Sequence, residues 1–195
     1  MMEMIAITNR LLCQGDFQQQ LIRLARAGTD AIILREKDLS DQDYRQLALQ
    51  CMETLQKESV LFFLNGHADI ARQLGVQNIQ LSYPLFQQER DHLTGFDCVL
   101  VSVHSVEEAI QAARWGAGGL LAGHIFATDC KKGVAPRGVA FLQQICAAVS
   151  IPVYAIGGIC AETWPLLQDT GAAGACVMSD TMICEDVHKY LGELE

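Results

Sequence analysis

The chain has 195 residues, of which 50% are hydrophobic and 19% are charged, a composition that suits one globular domain and excludes a disordered chain. Its 14 lysines and arginines against 23 aspartates and glutamates give a formal net charge of −9. A surface this acidic repels nucleic acid and anionic membranes, so we expect neither as a partner. Local hydrogen-bond donors must therefore hold any anionic ligand.

Eight cysteines are scattered along the chain without a CxxC pair, which predicts reduced thiols rather than disulfides or a metal site. The start of the chain lacks a basic region followed by a long apolar core, and no run approaches the ~20 apolar residues of a membrane span. We expect a cytoplasmic protein with a single domain over residues 1–195. The sequence is compatible with a homo-oligomer such as a dimer.

Short apolar runs alternate with amphipathic ones along the whole chain. The predicted strands are Met4–Thr8, Ala31–Arg35, Val60–Asn65, Asn78–Ser82, Cys98–Val103, Gly118–Ala122, Pro152–Gly157 and Ala173–Ser179. The predicted helices are Phe17–Arg26, Ser40–Gln56, His67–Leu74, Phe86–Leu93, Ser105–Trp115, Gly138–Val149, Glu162–Thr170 and Asp186–Leu194. Near-continuous apolar strands are typical of parallel strands buried on both faces, and eight strand–helix units predict an α/β fold, a single (β/α)8 TIM barrel.

The segment after the sixth predicted strand carries the clearest chemical signal. It reads GHIFATDCKKG over residues 123–133. His124 stands at the carboxyl end of the strand, where barrels place their chemistry, and an imidazole can donate and accept a proton near neutral pH. The alternative is a loop whose lysines are merely solvated.

The ends of the last two strands predict an anion site. Gly157 and Gly158 follow the seventh strand, and Ser179 stands at the end of the eighth. Glycine amides and helix N-termini offer N–H donors to phosphate, and barrels often bind phosphate at these loops. The alternative is that the glycines serve only tight turns. Asp180 follows Ser179, and we expect its carboxylate to point away from a bound phosphate.

Arg35 continues the second predicted strand, so an inward side chain could clamp a carboxylate or a phosphate. A solvated charged run, neutralised by Glu36, is the alternative. His124 is the candidate catalytic residue. The candidate ligand-binding residues are Arg35, Lys37, Asn65, His104, Thr128, Lys131, Gly157, Gly158 and Ser179.

Several motifs resemble the thiamine phosphate synthase/TenI family of barrels. They are AIT at residues 6–8, LREK at 34–37, Asn65 with DIA at 69–71, VHSVEEA at 103–109 and IPVYAIGGI at 151–159. The segment 123–133 resembles the TenI branch of that family. This resemblance implies a phosphorylated thiazole ligand.

The family contains two activities. Its synthases join the thiazole phosphate to a pyrimidine diphosphate with Mg²⁺ held by aspartates, whereas TenI-type proteins are thiazole tautomerases that aromatise a carboxythiazole phosphate. This chain has Asn65-Gly66 where synthases have Asn-Asp, and LSYPL at residues 81–85 where they have Gly-Gln-x-Asp, so the magnesium ligands are missing.

The resemblance therefore implies a thiazole tautomerase, an isomerase that needs neither a metal nor another cofactor, with His124 as the proton shuttle. Two alternatives remain open. One is a non-catalytic, ligand-binding or regulatory barrel, and the other is a synthase, which the missing carboxylates disfavour.

Overall fold

Eight parallel strands form a closed barrel in a computed structural model that describes residues 2–128 and 133–194. Each strand pairs with the next one along the chain, and the last strand pairs with the first. The strands are β1 (Glu3–Ile7), β2 (Ala31–Leu34), β3 (Leu61–Asn65), β4 (Asn78–Ser82), β5 (Cys98–Val103), β6 (Gly119–Gly123), β7 (Val153–Ile156) and β8 (Gly174–Val177). The predicted TIM barrel is confirmed.

The helices of the described residues surround the barrel. They are α1 (Phe17–Arg26), α2 (Asp41–Leu55), α3 (Ala68–Leu74), α4 (Tyr83–Glu89), α5 (Val106–Arg114), α6 (Gly138–Ala148), α7 (Ser179–Ile183) and α8 (Val187–Gly192). The side chains of Ser40 and Ser105 cap α2 and α5 by accepting from backbone N–H groups three residues later. None of these helices combines the length and the apolarity that crossing a membrane would need.

Two predicted helices differ from the structure. The predicted helix Glu162–Thr170 is only a short 3₁₀ turn, Trp164–Leu167, which ends where Gln168 leaves the helical conformation with a ψ angle of 145°. The predicted helix Phe86–Leu93 instead begins earlier, as α4, with Pro84 in its first turn, where a missing N–H costs nothing. A 3₁₀ turn over Arg90–His92 then ends that segment.

Apolar side chains fill the barrel and the layer outside it as two separate clusters. The inner cluster comprises Ile5, Ile7, Ala31, Ile33, Phe63, Leu100, Leu121, Tyr154 and Cys176. Intervening strand residues, such as Ala6, Ile32 and Leu64, face outward and pack against the helices. This alternation decides which side chains at the strand ends point into the barrel mouth.

Candidate active site

Three polar side chains follow the apolar inner cluster toward the carboxyl ends of β3, β4 and β5. The Nδ2 group of Asn65 donates to Gln80 Oε1 at 2.5 Å. The Nε2 group of Gln80 donates to the Leu81 carbonyl oxygen at 2.7 Å and to Ser102 Oγ at 2.9 Å. These contacts join three neighbouring strands in one hydrogen-bonded row, with Gln80 only 4% exposed.

His104 lies two residues beyond Ser102, directly after β5. Its Nδ1 lies 2.7 Å from the carbonyl oxygen of Gly123. Because a carbonyl oxygen only accepts, Nδ1 carries the proton and a neutral ring keeps its lone pair on Nε2. The backbone N–H of His104 donates to Glu108 Oε2 at 2.6 Å, which fixes the residue to the start of α5.

Arg35 and Glu36 lie on opposite sides of the barrel wall. Arg35 follows Ile33 on the inner side, and within residues 2–128 and 133–194 its guanidinium forms no hydrogen bond or ion pair. Glu36 is buried and accepts from the Thr8 hydroxyl at 2.7 Å and from the Arg10 guanidinium at 3.0 Å. Glu36 therefore does not neutralise Arg35, and no described residue pairs with the guanidinium.

Lys37 is exposed, beyond the end of β2. The neighbouring Asp38 forms an ion pair with Arg10 at 2.6 Å. Hydrogen bonding to Asp38 raises the pKa of the Arg10 guanidinium above its usual value, and the contact lowers the pKa of Asp38. The carboxylates of this loop are thus bound by Arg10 rather than directed at the barrel mouth.

His124 is 6% exposed and lies beneath the segment that leads into α6. Its Nε2 is 3.2 Å from the carbonyl oxygen of Val134 and therefore carries the proton of the neutral ring. Its own backbone carbonyl accepts from the N–H of Arg137 at 3.0 Å. His124 thus anchors its loop, whereas His104 keeps one ring nitrogen without a partner among the described residues.

Gly157 and Gly158 have positive φ angles of 95° and 67° and pack against the loop after β6. A Cβ at Gly157 would overlap His124 Cβ, and one at Gly158 would overlap the carbonyl oxygen of Ala127. Both glycines are thus required for loop packing. A backbone anion site here stays a prediction, and a valine at Gly158 would test loop packing together with ligand binding.

Ser179 is exposed and begins α7, directly after β8. The carboxylate of Asp180 accepts a hydrogen bond from the Tyr190 hydroxyl of α8 at 3.3 Å. Burial and the nearby Asp180 raise the pKa of Tyr190, so the hydroxyl keeps its proton and remains a donor. The Asp180 side chain is thus directed toward α8.

The remaining candidates lie on the loop after β6. Thr128 is half-buried and interacts with another group of the protein. Lys131 falls outside the described residues. Gln80 and Ser102, which the structure brings beside Asn65 and His104, were not among the predicted site residues. Their signal was a glutamine between two buried apolar residues of β4 and a serine in the apolar run of β5, because a buried polar side chain needs a partner.

The described residues do not fit a magnesium site of the kind that the family's synthases use. Among them, no group of three or more His, Cys, Asp or Glu side chains is placed to hold a metal ion. Gly66 offers no side chain after β3, and Asp69 lies on the surface of α3 beside Arg72. Near the rim, Glu36, Asp38, Glu108 and Asp180 are all bound to protein donors.

A family model described as thiamine monophosphate synthase matches residues 4–181. The chain belongs to this family. It is 32% identical over 190 residues to a protein of Coprothermobacter proteolyticus named thiamine-phosphate synthase, covering 95% of this chain and 90% of that protein. A relative with the same name from Methanocella arvoryzae is 35% identical over 190 residues, covering 95% and 89%.

A solved structure agrees with this assignment, and a second shares the fold. A thiamine phosphate pyrophosphorylase from Pyrococcus furiosus superposes with a TM-score of 0.83 at 28% identity, covering 99% of this chain and 93% of that one. A 3-hexulose-6-phosphate synthase, at a TM-score of 0.74 and 17% identity, shares the fold.

These relatives confirm the predicted family and support the prediction that the chain is an enzyme. They contradict the predicted function. Their shared name is that of a synthase, the activity that the missing carboxylates disfavoured, so the prediction of a thiazole tautomerase is wrong. The predicted isomerase class is likewise unsupported.

Proposed function

We propose that this chain is a thiamine-phosphate synthase, a transferase that joins a phosphorylated thiazole to an aminopyrimidine carrying a diphosphate. The thiazole ring nitrogen forms a bond to the methylene carbon of the pyrimidine. The bond from that carbon to the diphosphate oxygen breaks, and the diphosphate leaves with the bonding electron pair. The observation that carries this proposal is the name shared by relatives that match over about nine tenths of their length.

Positive charge at the end of β2 supports the binding of a diphosphate. The Arg35 guanidinium follows the inner side of the strand and forms no hydrogen bond or ion pair within the described residues, and exposed Lys37 lies two positions further. Arginine binds phosphate oxygens through paired N–H groups, which stabilises the charge that accumulates on a departing diphosphate. No step of this proposal passes through a metal ion, because the described carboxylates do not form a site for one.

The opposite side of the rim would hold the thiazole phosphate. The backbone near Gly157, Gly158 and Ser179 offers N–H groups, and Thr128 offers a hydroxyl. The joining step relocates no proton, so the predicted role of His124 as a proton shuttle has no place in it. We assign His124 instead the role of tying residues 123–128 to the segment around Val134, whose carbonyl oxygen lies 3.2 Å from its ring.

A direct assay tests the proposal. Purified protein is incubated with the thiazole phosphate, the pyrimidine diphosphate and Mg²⁺, and thiamine phosphate is measured by chromatography against a protein-free blank. We expect product that increases linearly with protein concentration. A folded protein that forms no product above the blank would show that the proposed reaction is wrong.

A further inference from the structure

Two side-chain hydroxyls hold the peptide unit between Leu34 and Arg35, at the end of β2. The backbone N–H of Arg35 donates to Thr8 Oγ1 at 2.9 Å. The Leu34 carbonyl oxygen, on the opposite edge of the same unit, accepts from the Tyr44 hydroxyl at 2.7 Å. Because a peptide unit is planar, a partner on each edge fixes its orientation. We call the hydroxyls of Thr8 and Tyr44 the peptide clamp.

The Thr8 hydroxyl is fixed in direction by Glu36. Thr8 lies directly after β1, is fully buried, and donates to Glu36 Oε1 at 2.7 Å. A carboxylate oxygen only accepts, so this bond uses the hydroxyl proton and leaves a lone pair for the Arg35 N–H. Glu36 itself accepts from the backbone N–H and from the guanidinium of Arg10, each at 3.0 Å. This half of the clamp therefore has one bonding pattern.

Tyr44 of α2 bridges the ends of β2 and β3 from the outer apolar cluster. Its hydroxyl accepts from the backbone N–H of Asn65 at 3.1 Å. The carbonyl oxygens of Leu34 and Asn65 lie 2.7 and 3.4 Å away, and the hydroxyl donates to the nearer one. Burial raises the pKa of Tyr44, which keeps this donor protonated. Thr8 and Tyr44 are both enclosed, so any effect they have on a ligand in the mouth must act through the backbone.

We infer that Thr8 and Tyr44 are positioning residues that direct Arg35 toward a bound diphosphate; this rests on the proposed function. The Cα atom of Arg35 belongs to the clamped peptide unit, so the clamp fixes the point from which the side chain starts. No described residue pairs with the guanidinium itself. A long side chain with a fixed starting point samples fewer positions, which lowers the entropy that binding must remove.

Calorimetric titration with inorganic diphosphate, without turnover, tests this inference. Thr8→Val and Tyr44→Phe keep the approximate shape of each side chain and remove its hydroxyl. Each variant should bind diphosphate about three- to tenfold more weakly than wild type, because the guanidinium is no longer held in place. Thr8→Ser retains the hydroxyl and should bind within about twofold of wild type.

Two matched controls remove a bonded hydroxyl far from Arg35. The Thr170 hydroxyl, on the segment before β8, donates to the Leu167 carbonyl oxygen at 2.7 Å. The Tyr154 hydroxyl donates to Glu3 at 2.6 Å, near the amino-terminal end of the barrel. Thr170→Val and Tyr154→Phe should lose stability as the clamp variants do, yet bind diphosphate within about twofold of wild type.

A double-mutant comparison shows whether the clamp acts through Arg35. Arg35→Gln has no guanidinium to direct, so adding Thr8→Val or Tyr44→Phe to it should change the diphosphate affinity by less than about twofold. Circular dichroism establishes that each variant is folded, and Tyr44→Phe decides the matter if Thr8→Val does not fold.

Four results would each overturn the inference. They are no detectable diphosphate binding by wild-type protein, wild-type affinity in a folded clamp variant, an equal loss of affinity in the controls, and a loss that persists in Arg35→Gln. The proposed function is judged separately. A loss that depends on Arg35, in a protein that forms no thiamine phosphate, would retain the clamp and reject the reaction. Product formation together with wild-type affinity in the clamp variants would do the reverse.

Discussion

Neighbouring residues at the end of β2 have opposite roles because a strand turns successive side chains to opposite faces. Glu36 faces the outer layer and is bound by Thr8 and Arg10, which compensates for the burial of its charge. Arg35 faces the mouth, and no described residue pairs with its guanidinium. In an acidic protein, a guanidinium that no described residue pairs with provides a local binding point for an anion.

Replacing Arg35 should weaken anion binding with little effect on stability. Hydrogen bonds to a charged group typically contribute about 1.5–3 kcal/mol, so Arg35→Gln should reduce the affinity for inorganic diphosphate roughly 10- to 100-fold in a calorimetric titration. Arg45→Gln, which changes an exposed arginine of α2 bound to Gln73, is the matched control and should bind as wild type does. Equal affinities in the two variants would place the diphosphate elsewhere.

The loop after β6 continues the backbone hydrogen bonding between β6 and β7. The N–H groups of Ile125 and Phe126 donate to the carbonyl oxygens of Ile156 and Gly157 at 2.9 and 3.0 Å. This close approach of two backbones leaves no room for a side chain at Gly157, whose Cβ would overlap His124. The glycine therefore positions the β6 loop, whatever ligand its amide binds.

A comparison of two glycine variants separates packing from backbone strain. Gly157 and Gly116 have φ angles of 95° and 89°, but a Cβ at Gly116 would meet nothing within 4 Å. Gly116→Ala should cost about 1–2 kcal/mol, from conformation alone, and Gly157→Ala should cost about 1–3 kcal/mol more because it also overpacks the loop. Urea unfolding of both variants measures the difference, and equal losses would contradict the packing argument.

Both apolar clusters of the molecule contain buried side chains that can lose a proton, namely tyrosine hydroxyls and cysteine thiols. Burial raises the pKa of Cys51 on α2 to about 12 and also raises the pKa of Tyr44 and of Tyr154. The Tyr154 hydroxyl donates to Glu3 at 2.6 Å, which ties β7 to β1 near the amino-terminal end of the barrel. These groups are stable inside only while they keep their protons.

Stability should therefore decrease at alkaline pH. Below pH 9.0 the Cys51 thiol is protonated in both states, whereas between pH 9.0 and about 12 it ionises only in the unfolded chain, which favours unfolding. Full ionisation of one such group costs about 1.4 kcal/mol per pH unit. Urea unfolding across this window should show a smaller pH dependence for Cys51→Ala than for wild type or for the control Cys13→Ala. If the free energy of unfolding changed equally with pH in all three proteins, Cys51 would not contribute to the alkaline loss of stability.

The sequence by itself determined the barrel. The hydrophobic pattern of a segment depends only on residues that are close in sequence, so the strands and helices could be predicted segment by segment. Eight alternating strand–helix units are compatible with few folds other than the barrel. Because side chains alternate between the two faces of a strand, the sequence also allowed Arg35 to be predicted as pointing into the barrel. Family-level motifs identified the family but not the reaction, because the absence of two carboxylates says what a site lacks rather than what it binds.

Only the tertiary structure decided the side-chain partners. Asn65, Gln80 and Ser102 are 15 and 22 residues apart along the chain and meet because parallel pairing brings the ends of β3, β4 and β5 together. Glu36 lies 28 residues from Thr8, and His124 is enclosed by the segment around Val134. Hydrogen bonds depend on distances and angles that barrel closure sets. The bonded row of Asn65, Gln80 and Ser102 and the buried His124 could therefore be distinguished only in the folded chain.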